Sequence, residues 1–130
     1  MIKVLGLALY GPLAASTRYR LAQYGPGLAG LGIDLQIHRL LGDDYLRRRF
    51  AGASLPLAAI LDAVFARLVA LWHNDDYDDA ILHCELFPRL PGWIERALIR
   101  KPYIYDFDDA FFEVPHWPNG LCTPIARAKI

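Results

Sequence analysis

Three aspartates within four positions, Asp106, Asp108 and Asp109, close the run Lys101-Pro102-Tyr103-Ile104-Tyr105. An aromatic and β-branched segment opened by proline reads as a buried strand, so the carboxylates arrive at its C-terminal end. In open α/β sheets ligands bind beyond the carboxyl ends of the strands, which gives the cluster a functional address. Oxygen donors so close together suit a hard cation such as Mg²⁺ or Mn²⁺. They also match the nucleophile motif of haloacid-dehalogenase-type phosphatases. That family needs a lysine and a second acidic pair downstream, and too little chain follows Asp109 to supply them. The plainer reading is that Asp106 caps a turn and the other two are solvated.

Other chemistry-bearing residues gather after strand-like segments. Glu85 follows Ala80-Ile81-Leu82-His83, and Gly11, Ser16, Thr17 and Arg18 follow the apolar run Ile2 to Tyr10. Ser16 and Thr17 read first as helix caps and second as ligand contacts. Arg18 and Arg20 would open the first helix, where arginine suits bidentate phosphate or carboxylate recognition. His83 reads as a satisfied core histidine. The remaining histidines and the two cysteines, Cys84 and Cys122, have no zinc spacing. Arg47-Arg48-Arg49 reads as a solvated helix face with a weaker claim on an anionic lipid or lipid phosphate.

The elements that must carry these residues alternate. Strands are expected at 2–10, 33–38 and 80–83, and in the run that opens after Pro102 and ends in the carboxylates. Between them lie a helix interrupted at Gly25-Pro26-Gly27, a short basic helix over 41–50, a longer one capped by Ser54, and one from Gly92 to Ile99. The longer helix carries Leu57, Ile60, Leu61, Val64, Phe65, Leu68 and Trp72 in one stripe, which predicts a core-facing side. Alternation of this kind predicts an α/β fold: a Rossmann-like parallel sheet flanked by helices, with the first strand central, the second on one side and the third and fourth on the other.

At 130 residues the chain suffices for one domain, expected over 1–112, with 113–130 an irregular start of a continuation. Net charge is zero, which argues against a nucleic-acid or acidic-membrane surface as partner. Hydrophobic residues make up 55%, but Asp62 and Arg67 interrupt the longest apolar stretch, which favours a core helix over a membrane span. No secretory signal is visible, and two cysteines fit a reducing cytoplasm.

Taken together, Ser16-Thr17-Arg18-Tyr19-Arg20, Gly32-Ile33-Asp34-Leu35, Glu85-Leu86-Phe87-Pro88 and Tyr105-Asp106-Phe107-Asp108-Asp109-Ala110 resemble the N-terminal domain of a family-four retaining glycosyltransferase of the GT-B fold. The resemblance implies sugar transfer from a nucleotide-sugar donor, without a metal or other cofactor, to a sugar or lipid-linked acceptor. It implies that this half holds the acceptor and that a separate C-terminal donor domain completes the enzyme. Asp108, Asp109 and Glu85 become the catalytic candidates, and Gly11, Ser16, Thr17, Arg18 and Asp106 the substrate-binding ones. A cytoplasmic site, peripheral to the inner membrane face, would follow from a lipid-linked acceptor. The chain departs from the family in having Gly11-Pro12 where many relatives have Gly-Gly. The alternative is a non-catalytic Rossmann-like binding module.

Overall fold

In the computed structural model, residues 1–88 and 90–107 are described. Asp108, Asp109 and the segment 113–130 lie outside the described residues. Four strands form one wholly parallel sheet in the order β2-β1-β3-β4. They are β1 (Ile2–Tyr10), β2 (Ile33–Leu41), β3 (Asp79–His83) and β4 (Tyr103–Asp106). The helices are α1 (Ala15–Arg20), α2 (Gly25–Gly30), α3 (Asp43–Phe50), α4 (Leu57–Trp72) and α5 (Gly92–Ile99). The Rossmann-like α/β class and the strand order are those expected from the alternation.

Register puts Leu5, Ala80 and Tyr103 on one row and Leu7, Leu82 and Tyr105 on the next. Leu71 of α4, Leu86 and Ile99 of α5 close over these rows, and this is the core. Each such apolar side chain removed from water contributes about 1.5–3 kcal/mol. Asn74, fully buried, donates from Nδ2 to the Ile99 carbonyl at 2.7 Å and so ties the ends of α4 and α5 together.

Three helical expectations are corrected. The first helix breaks at Leu21 and passes through a 3₁₀ turn, Ala22–Tyr24, before α2 begins with Pro26 in its first turn, where a missing N–H costs nothing. The change of helical phase buries Leu21 but leaves Tyr24 and Leu31 exposed. Gly32, at φ 79°, ends α2 with its amide on the Ala29 carbonyl. Neither Ser16 nor Thr17 caps α1, and Ser54 does not cap α4. Ala14 and Pro56 hold those positions without a side-chain cap.

The largest correction concerns α4. Leu57, Leu61, Phe65 and Trp72 of the expected core stripe are exposed, and the buried residues are Arg67, Ala70 and Leu71. A helix apolar around most of its circumference has no side that periodicity can single out. Packing decided instead. Small Ala70 lets the helix approach the sheet, and the Arg67 guanidinium donates to the Ala8 carbonyl.

Candidate functional site at the carboxyl edge of the sheet

β1 runs between β2 and β3, so the chain leaves it in opposite directions and the switch point opens beyond Tyr10 and His83. On the β1 side, the Thr17 hydroxyl donates to the Tyr10 carbonyl at 3.0 Å and pins α1 to the strand end. The Tyr10 ring stacks on Tyr45 of α3, centroids 5.8 Å apart, and Arg49 donates to the Tyr45 hydroxyl at 3.0 Å. Burial, then the neighbouring Tyr45, push the Tyr10 hydroxyl pKa up, and Glu85 and Cys84 add to the rise.

Gly11 is buried here, and a Cβ on it would run into the Asp43 carboxylate. Asp43 in turn accepts the Leu13 amide at 3.1 Å. The glycine thus permits close approach of α3 to the loop, a structural reason for a residue expected to bind substrate.

The β3–β4 side is a connected array. Asp106 reaches Arg20 of α1 through Oδ1 at 3.1 Å and the Nδ1 of His83 through Oδ2 at 2.8 Å. His83 is 1% exposed, and its other ring nitrogen faces the Cys84 thiol at 3.5 Å. A proton on Nδ1 directed at the carboxylate leaves Nε2 as acceptor for the thiol. Cys84 itself sits at φ 65°, left-handed for a side chain that rarely goes there, and its amide donates to the Asp106 carbonyl at 2.8 Å. That hydrogen bond continues the β3–β4 ladder past the strand end and holds the turn. Beneath it, buried Glu95 of α5 accepts the Leu86 amide at 3.0 Å, fixing where Glu85-Leu86-Phe87 leaves the sheet. Burial raises the Tyr105 hydroxyl pKa, with Glu95 the next cause and Glu85 also contributing.

The expected residues are therefore sorted. Thr17, Glu85 and Asp106 share the carboxyl edge with Gly11. Ser16 is half-buried within α1. Arg18 is exposed and lies over the Tyr19 ring at 5.0 Å, so Arg20 is the arginine that reaches the carboxylate. Both arginines stand in the last turn of α1 rather than at its start, where their charges favour the C-terminal end of the helix dipole. Asp106 holds side chains as well as the backbone, against the expectation of a simple turn cap.

Sequence reasoning passed over Cys84 and underrated Arg20. The signal for both was present: a His-Cys pair at a strand end, and an arginine one helical turn beyond Ser16. Among the described residues no group of three or more His, Cys, Asp or Glu side chains is arranged to hold a metal ion.

Chemically, the edge offers a cation, a half-buried carboxylate and a thiol beside an imidazole, with the Tyr10 and Tyr105 phenols at the strand ends. That set suits hydrogen bonding to a polyhydroxylated or anionic ligand. The class defined by the fold is Rossmann-like α/β. No protein family, curated protein or solved structure matches this chain.

Proposed function

We propose that the chain is the acceptor-side half of a retaining glycosyltransferase that takes its sugar from a nucleotide-sugar donor bound by a separate domain. The observation that carries the reading is that the parallel strands bring the ends of β1, β3 and β4 to one edge, where Arg20 pairs with Asp106 and Glu85 follows β3. In this reading Glu85 orients the acceptor hydroxyl, and the aspartates after β4, Asp108 and Asp109, steady positive charge developing on the donor sugar. Such preorganised electrostatics need no metal. Asp106, at the end of β4, fixes the strand end that precedes them. A sugar or lipid-linked acceptor follows from the same reading, as does a site at the cytoplasmic membrane face.

Titrating the chain with simple glycosides and nucleotide sugars, followed by amide NMR, tests this. Binding should shift amides at 10–17 and 84–86, and Glu85→Gln should weaken it with no change in melting temperature. A chain that binds neither class at millimolar concentration, or binds away from this edge, overturns the reading. One observation favours the alternative of a non-catalytic binding module: Arg20 and Asp106 neutralise each other, which leaves less charge for a ligand.

A further inference from the structure

Cys84 and His83 take no part in the proposed sugar transfer, yet they stand in line with Asp106. Side chains alternate across a strand, so neighbours in sequence normally point to opposite faces. The left-handed turn at Cys84, φ 65°, breaks that alternation, and its Sγ lies 3.5 Å from the Nε2 of His83. The ring is held from behind. Its Nδ1 lies 2.8 Å from Asp106 Oδ2, while Arg20 occupies the other carboxylate oxygen at 3.1 Å. Thiol, imidazole and carboxylate in that order are the arrangement that activates a sulfur nucleophile. His83 is 1% exposed, whereas Cys84 carries a thiol and keeps part of its surface in solvent.

The backbone decides which electrophile fits. Acyl transfer needs N–H donors for the oxyanion that forms on carbon. Around Cys84 the amides are engaged: that of Cys84 on the Asp106 carbonyl at 2.8 Å, that of Glu85 on the His83 carbonyl at 3.1 Å, and that of Leu86 on Glu95 at 3.0 Å. Attack on a disulfide builds charge on the sulfurs alone and needs no such donor. Burial first, and Cys84 among the further causes, raise the hydroxyl pKa of Tyr10 on β1 and Tyr105 on β4, so both phenols stay largely neutral up to pH 9. Glu85, next in the chain, opposes negative charge on the sulfur. Arg20 of α1 offsets it, and Glu95 of α5 is bound to its amide.

We infer that Cys84, with His83 as its base and Asp106 as a positioning residue, is a nucleophilic thiol that exchanges with small disulfides, whether or not the glycosyltransferase reading holds. His83 Nε2 takes the Sγ proton, and the thiolate attacks one sulfur of the disulfide. The new S–S bond to Cys84 forms as the old one breaks. Cys84 is thereby oxidised to a mixed disulfide, and the departing half, reduced to a thiol, carries off the proton. The test is the rate of Cys84 alkylation by iodoacetamide in the full chain, read apart from Cys122 by peptide mapping. An ordinary thiol speeds up about 70-fold between pH 6.5 and 9 as its thiolate fraction grows, whereas Cys84 should speed up less than about tenfold. His83→Gln should cut the rate at pH 6.5 at least about tenfold and leave that at pH 9 nearly unchanged, and Asp106→Asn should steepen the profile in the same direction. Loss of structure would instead speed alkylation at every pH, so a slower variant reports the lost base, and circular dichroism checks each fold. Oxidised glutathione should add one glutathione to Cys84, and dithiothreitol should remove it. An ordinary pH profile in the unaltered chain overturns the inference, whatever the variants do. So does a His83→Gln rate equal to the parent's at pH 6.5, a Cys84 that takes iodoacetamide and not glutathione, or one inert to both.

Discussion

Asp106 holds two partners at once, and their environments differ. Arg20 is 43% exposed in its side chain, so solvent screens that pair to about 1 kcal/mol or less. His83 is buried, and its hydrogen bond to the carboxylate is the stronger, about 1.5–3 kcal/mol. Asp106→Asn should therefore cost about 2 kcal/mol in urea unfolding, whereas Arg20→Gln should cost well under half of that. If the two cost the same, the carboxylate is working through the arginine. Cys84 supplies a second test, because its left-handed backbone stores about 1–3 kcal/mol. Cys84→Gly should stay within about 1 kcal/mol of the parent and Cys84→Val should lose more than 2. Sequence reading found Asp106 from its neighbours. It missed the Arg20 contact because the two residues are brought together only by the sheet, with β3 between their segments.

Strand positions were legible because a parallel strand buried on both faces is a nearly continuous apolar run with turn signals at its ends, as in Ile2 to Tyr10. Gly92 to Ile99 was legible from Pro91 and helical spacing, and α5 has those bounds. The orientation of α4 was not, because it was fixed by the Arg67 guanidinium, one side chain whose depth no periodicity reveals. Burial pulls its pKa down to about 10, and Nε and Nη1 have no hydrogen-bond partner among the described residues. Relief of that desolvation should outweigh one lost hydrogen bond, so Arg67→Met should be neutral or stabilising by about 1 kcal/mol. Asn74→Ala, by contrast, removes the tie to Ile99 and should cost about 1–3 kcal/mol. Thermal melts of the two variants side by side would expose an error in either sign.

Among the described residues, His38 on β2 makes stability depend on pH. Burial lowers its pKa first, and the cations Arg67 and Arg39 lower it further. A depressed folded pKa means that the unfolded chain takes up a proton more readily. The stability is complete above about pH 6.5 and declines as pH falls through the window below it. His38→Gln should flatten that decline, which urea midpoints measured from pH 7.5 down to 5 would show as converging curves. The overall architecture was readable from alternation alone, since right-handed crossovers leave few ways to arrange four parallel strands. The membership of the site was readable only in part, because half of it is contributed by residues that look structural until the strands are side by side.

The central position of β1 also has a consequence for synthesis. Its first neighbour, β2, begins at Ile33, but its second, β3, begins at Asp79, and the Lys3 amide waits for the Asp78 carboxylate 75 residues later. At ribosomal speeds of roughly 5–20 residues per second, about 4–15 s separate the emergence of the two. Through that interval one edge of the most apolar strand has no partner, and the helix that will cover it carries more apolar surface outward than inward. The nascent chain is thus at its most adhesive shortly before β3 leaves the ribosome.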